Sequence, residues 1–467
     1  MSSSLYAGIS GLNAMQLQLD VIGNNIANSN TVGYKGSRII FSDILSQSLT
    51  GGSGTMQIGR GVTVGSIGTQ FAAGSFEPTD NATDLSIDGE GFFMVKDAEG
   101  GIYYTRAGAF HVDDEGYLVD VNDYRVQGRN LMSADPMAVT DISLRDVQSE
   151  PRATTEISVG ANLNASTLTG DVFTVAQTVY DTLGTSHTLR IEFTKQADAG
   201  KWEAKALLVG ASAAGADIVH NKVGTAAAHD EGTTYNTGEY VIHEGSVWEC
   251  NADGVTGSWD DTSSNWTEQT GLRWSASDGI VYTPLEFAFG SDGSLISPTE
   301  DVVLSFGGLS NGAEDIDINW RLTGLGVEPL TGYASTSVVK SLIQDGYSSG
   351  ELRSISVTEA GVITGFFTNG QTSSIGQVML ASFSNPLGLQ RMGANLFGET
   401  LKSGVAVQNA PGTGGMGTII SNALELSNAD IATEFINMIT AQRSYQASAK
   451  VVTTTDQMMQ ELMNIKR

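Results

Sequence analysis

The sequence predicts a mainly β protein with α-helical termini, and three observations carry that prediction. Near the N-terminus, apolar residues fall at Leu5, Ile9, Leu12, Met15, Leu19, Ile22 and Ile26, with steps of four, three, three, four, three and four. Leu5, Leu12, Leu19 and Ile26 stand seven apart, so the stripe is close to the heptad repeat of a coiled coil. Near the C-terminus, Ile431, Phe435, Met438, Gln442, Tyr445, Ala449, Val452, Asp456, Met459 and Met463 alternate steps of four and three. Between these ends lie short apolar runs separated by Gly-containing turns at roughly ten-residue spacing, the pattern of antiparallel strands. The 56 glycines against 8 prolines fit a chain with many turns better than a Pro-rich disordered one.

In chain order, the first helix covers 1–30. It ends near Asn28, in the polar run Asn24-Asn25-Ile26-Ala27-Asn28-Ser29-Asn30, because Asn and the following Gly33 tolerate the conformations that close a helix. Residues 31–83 are rich in Gly, Ser and Thr, with apolar spots at Ile39, Ile40, Phe41, Ile44 and Leu45. Gly51-Gly52-Ser53-Gly54 reads as a flexible turn, and 59–76 as a short strand or two. From Asp84 the runs 92–95, 102–104, 109–112 and 117–119 read as a meander. Its acidic turns lack the ligand spacing of an EF-hand loop and read as hairpin turns.

Around Ser149-Glu150-Pro151 the chain crosses into a second β domain, with strands at 172–179, 187–193, 202–209, 285–289 and 302–306. The stretch 211–277 interrupts it and holds Trp248, Trp259, Trp266 and Trp274, four of six tryptophans. It reads as an inserted small domain. Tyr240 to Trp248 and Asn265-Trp266 bear a faint resemblance to small chitin-binding-type carbohydrate modules. Core packing is the first reading of these rings; a sugar or surface contact at Trp248, Trp259 and Trp266 is the second. His220, His229 and His243 fit no compact metal motif. From about Gly332 the chain is expected to return to the first β domain, with strands at 354–357, 362–368 and 375–383 and a hairpin turn at Asn369-Gly370. The second helix starts at Ser427, with Ser427 and Asp430 as its N-cap and capping-box variant. A lone helix is marginal in water, so the two terminal helices need each other or further copies of themselves.

Length and composition bound the function. A chain of 467 residues predicts two to four domains. Lys and Arg number 24 against 52 Asp and Glu, a net charge of −28. So acidic a surface repels nucleic acid and anionic lipid and keeps the subunit soluble before assembly. The single Cys250 excludes an internal disulfide framework and a thiolate zinc cluster. No apolar run of about eighteen residues and no cleavable signal segment is visible. There is no G-x-S-x-G, H-E-x-x-H, P-loop or C-x-x-C motif, and Gly89-Glu90-Gly91 opens no helix. No catalytic residue, cofactor or metal is expected.

The segments NNIANSNTVGYK, 24–35, and ALELSNADIATEFINMITAQRSYQASAK, 423–450, resemble the paired signatures of the bacterial flagellar rod–hook family of axial proteins. The stretches 82–121 and 345–404 are similar to it too. Asn24, Asn25, Asn28, Gly33, Tyr34, Lys35, Gln442 and Arg443 are the residues of this sequence that carry the motifs. Length and middle domains are similar to the hook members. The resemblance implies a nested order. Helix 1–30 leads through the connector 31–83 to an inner β domain, 84–150 and 332–385. An outer domain, 151–210 and 278–331, carries the insert 211–277. The connector 386–426 leads to the helix 427–467. It also implies uncleaved passage through the flagellar export apparatus and assembly of copies into a curved, bendable tube outside the cell, joining rod to filament. The implied assembly interface is Leu5, Ile9, Leu12, Met15, Leu19, Ile22, Ile26, Ile431, Phe435, Met438, Tyr445, Val452, Met459 and Met463. Other implied partners are the rod, hook-cap and hook–filament junction proteins. The alternatives are a straight distal rod component and a surface protein that binds carbohydrate through the insert.

Overall fold

The computed structural model describes residues 2–44, 47–51, 54–133, 135–212, 215–259, 264–275, 279–324 and 326–465. The chain divides into two compact units, one of Met1–Val147 with Leu352–Arg467, the other of Gln148–Glu351.

The first unit holds both helices, α1 (Ser2–Ala27) and α2 (Ile431–Ile465). Helix α1 stops where the asparagines take over its free carbonyls: Asn28 donates to Asn24 O through its backbone N–H and, at 2.9 Å, its side-chain amide. Helix α2 starts at Ile431, so its cap is Asp430 rather than Ser427. The Asp430 carboxylate accepts the Thr433 N–H at 2.7 Å, and the Thr433 side chain together with that N–H holds its carboxyl below the usual range. The Ser427 hydroxyl accepts the Ala429 N–H, one step too early to serve the helix.

Strand Ser37–Asp43 pairs antiparallel with Val62–Thr69, with a register shift between Ile40 and Phe41. A second hairpin, Gln47–Gly51 with Gly54–Ile58, lies between them in the chain. The consecutive Ile39, Ile40 and Phe41 hid the first of these strands, because three apolar residues in a row show no alternation. Leu45, Gly52 and Ser53 lie outside the described residues.

The β body of this unit interleaves its two chain segments. Val362–Phe367, Thr372–Val378, Arg125–Asn130, Phe92–Lys96, Ile102–Thr105 and Leu396–Gly398 lie side by side in that order. Leu85–Asp88 pairs with Thr418–Ser421. Leu85, Ile87, Phe93, Val95, Val126, Ile363, Val378, Leu380 and Ile419 form one buried core, with Phe93 edge-on to Phe110 at 5.1 Å. The acidic turns use their carboxylates on their own backbone: Asp97 accepts the Gly101 N–H and Asp113 the Tyr117 N–H.

The second unit is a sandwich. One sheet runs Val172–Tyr180, Ser186–Lys195, Lys201–Val209, Leu285–Phe289, Leu295–Ser297; the other runs Val302–Phe306, Ile316–Arg321, Glu156–Asn162, Val338–Gln344. Phe193, Trp202, Phe287, Phe306 and Trp320 fill the space between them. The chain does not leave this unit near Gly332. Val338–Gln344 pairs with Glu156–Asn162, and the division falls after Glu351.

The insert runs past its expected end at 277: its sheet is ordered Trp266–Glu268, Ser246–Cys250, Tyr240–His243, Lys222–Ala228, Ile280–Tyr282, Arg273–Trp274. Trp248, Trp259 and Trp266 come together in it, with ring centroids 5.1 Å apart for Trp248–Trp259 and for Trp259–Trp266. Trp266 and Cys250 are buried, and His243 stacks on Trp259 at 4.1 Å.

Candidate assembly interface

The two helices run antiparallel: Gly8 faces Val452, Gly11 faces Ser448, and Asn25 reaches Glu434. Small residues make this seam. A Cβ on Gly8 would sit 2.8 Å from Val452 Cγ2, and one on Gly11 would sit 3.0 Å from Ser448 Oγ. Ala14, Ala441 and Thr455 are buried. Backbones that approach this closely leave no room for large side chains between them.

Many of the large apolar side chains are therefore turned outward or only half covered. Ile9, Ile431, Phe435, Tyr445, Met459 and Met463 are exposed; Leu5, Leu12, Met15, Leu19, Ile26, Met438 and Val452 are half-buried; only Ile22 of the expected stripe is buried. Tyr6, Leu17, Ile436, Ile439, Val451 and Met458 are exposed as well, Ile436 to 65% and Met463 to 70%. This second set lies off the stripe expected from the sequence. The signal was the run Phe435-Ile436-Asn437-Met438-Ile439, too apolar for a helix with one buried face.

The foot of the hairpin is polar and buried. Asn25 donates to Ser37 O and to Glu434 Oε1, both at 2.9 Å, and accepts the Ser37 N–H at 2.9 Å. Asn24 donates to the Tyr34 hydroxyl at 2.9 Å. Gly33 sits at φ 67°, and a Cβ there would lie 2.4 Å from Ala107 N. Next to it Lys35 and Glu425, both without side-chain exposure, form an ion pair at 2.5 Å. Lys35 also donates to Ala72 O, and Glu425 Oε1 accepts the Gly74 N–H. Arg106 completes the group, 3.5 Å from Glu425 Oε2 and donating to Gly89 O at 2.8 Å. Burial pulls both Lys35 and Arg106 below their ordinary pKa, and Glu425 opposes that pull. Asn428 ties the same corner by accepting the Gly36 N–H and donating to Gln70 O and Ala72 O. Gln442 and Arg443 take no part; both stand exposed on α2.

These two features sit where the chain matches known proteins. Residues 5–35 match the flagella basal body rod protein family, and 420–465 match the flagellar basal body rod FlgEFG protein C-terminal family. Residues 86–166 match the flagellar hook protein FlgE/F/G D1 domain, and 160–347 the flagellar basal body protein FlaE D2 domain. The flagellar hook protein FlgE of Borreliella burgdorferi is 31% identical over the full length of both chains. The chain belongs to the flagellar hook protein family. The hook protein FlgE of Escherichia coli is 30% identical over 98% of each chain, and the basal-body rod protein FlgG of Bacillus subtilis is 25% identical over 100% of each. The insert lies inside the span matched by the D2 domain, while the foot network joins the two terminal matches to the basal body rod families through Lys35 and Glu425. No helix among the described residues is long and apolar enough to cross a membrane.

Proposed function

We propose that this chain is a structural, non-catalytic subunit of the bacterial flagellar hook. It leaves the cell uncleaved through the flagellar export apparatus. Outside, it assembles through its terminal helices into a curved, flexible tube that carries torque from rod to filament. The observation that carries this reading is the division of labour on the hairpin, with glycine, alanine, serine and threonine inside and Phe435, Ile436, Ile439 and Met463 outside. Each large side chain buried against a neighbouring copy contributes roughly 1.5–3 kcal/mol, enough in sum to offset ordering and association. A head-to-tail contact that does not close gives a helical tube. The foot network then holds the body to the tube wall, and the rod, hook-cap and junction proteins meet the tube's ends.

Electron microscopy of the intact chain and of a chain lacking Ile431–Arg467, both under polymerising conditions, tests this. Curved tubes from the intact chain alone are expected. Tubes from the truncated chain would sink the helix argument, and straight stiff tubes from the intact one would mark a rod component.

A further inference from the structure

His220 stands where the chain leaves the outer sandwich for the insert. It follows the short strand Ile218–Val219 and precedes Asn221, whose φ of 54° turns the chain into Lys222–Ala228. Its backbone N–H donates to Ala206 O at 2.9 Å. Its ring is buried, 6.1 Å from the Phe306 ring, and Nδ1 accepts the Ser305 N–H at 3.0 Å. Ser305 belongs to Val302–Phe306, an edge strand of its sheet, so the imidazole satisfies a backbone donor that no neighbouring strand reaches. Because Nδ1 accepts, the ring proton is on Nε2, and Nε2 is buried with no hydrogen-bond partner among the described residues.

We infer that His220 is a proton-sensitive latch: neutral, it ties the root of the insert to the edge of the sandwich, and protonation releases it. The added proton can only go to Nδ1, where it faces the Ser305 N–H donor to donor. The contact is lost, and a charge is left in an apolar site. Among the described residues no charged group hydrogen-bonds or ion-pairs with the ring. Asp217 is engaged by Arg190 and by the Gly210 N–H, and Lys205 lies over the Tyr282 ring. Asp301 accepts the Leu322 N–H, Asp315 accepts the Gly308 N–H, and Lys222 and Asp317 are exposed. Burial accordingly pushes the imidazole below its ordinary value of 6.5, with the Ser305 contact pulling the other way. The unfolded chain then takes up the proton first on acidification. Stability is whole above that ordinary value and falls as pH drops through the window beneath it.

All six tryptophans lie in Gln148–Glu351, so their fluorescence reports this unit alone within the full chain. His220→Asn keeps an acceptor near the Nδ1 position and cannot titrate. Urea unfolding of the wild type, followed by tryptophan emission, is expected to lose midpoint between about pH 7 and pH 5. One proton is worth at most about a tenfold change in the unfolded ratio per pH unit. His220→Asn should lose less by the latch's share. An equal loss in both chains would overturn the latch. If the variant does not fold, the 15N shifts of the His220 ring in the wild type decide: an Nε2–H tautomer at neutral pH supports the proposal, and an Nδ1–H tautomer overturns it.

Discussion

The outer sandwich and the terminal hairpin solve opposite packing problems. In the sandwich the large rings are inside: Trp320 is fully buried, with Phe287 at 5.3 Å and Phe193 at 6.0 Å. In the hairpin small residues make the seam, and many of the large ones, Phe435, Ile436 and Met463 among them, face out. One region satisfies its apolar surface within the subunit; the other defers that to a partner. The lesson is that apolar content says little about stability until it is known which side of the backbone the apolar atoms occupy.

Substitutions can break this contrast in either direction. Trp320→Ala removes one of the two buried tryptophans of the closed core and should cost about 3–5 kcal/mol, read as a lower urea midpoint of the remaining tryptophans. Glu425→Ala strands Lys35 and Arg106 in a buried site and should cost about 3–5 kcal/mol. That loss belongs to the first unit, so it should appear in far-ultraviolet circular dichroism while the tryptophan transition stays in place. A movement of the tryptophan transition by the same amount would show that the two units do not unfold separately. Gly8→Val drives a side chain into Val452 and should cost about 1–3 kcal/mol; Val452→Ala in the same chain should recover part of it. Recovery would locate the defect in the seam and not in helix propensity.

Asp345 sharpens the comparison on the sandwich side. Burial alone would raise its carboxyl, but Thr155, the Glu156 N–H and Arg152 hold it below the usual range. Its folded value is depressed, so its contribution is present above the unfolded value, roughly pH 4, and is lost as pH falls through the lowered one. Asp345→Asn should flatten that acid limb and cost about 1–3 kcal/mol at neutral pH, measured by urea titration at several pH values. The smallest effect on the free subunit is expected from Phe435→Ala, within about 0.5 kcal/mol because the ring is already half in water. The same variant should polymerise poorly by light scattering. A stable subunit that cannot polymerise is the signature of an outward face; normal polymerisation would remove Phe435 from the interface.

Much of this was legible in the chain itself, and the boundary of legibility is physical. The period of the apolar residues placed both helices to within a few residues, because helical geometry repeats over a local window that a sequence displays directly. Alternation and turn residues placed five of the sandwich strands for the same reason, 285–289 and 302–306 coinciding with Leu285–Phe289 and Val302–Phe306, but Glu156–Asn162, Ile316–Arg321 and Val338–Gln344 were not seen. Leu85–Asp88 escaped, because it is only four residues long and takes its place from a partner more than three hundred residues away, Thr418–Ser421. The motif residues Asn25, Gly33, Tyr34 and Lys35 could be singled out from the sequence, but not their work at the foot. Lys35 and Glu425 are 390 positions apart, and nothing local to either says that one carboxylate will face two buried cations. The direction of the helix faces was likewise a tertiary decision. The heptad stripe says that large residues share a side; only the approach of Gly8 and Gly11 to α2 decides that the glycine side is the one that closes.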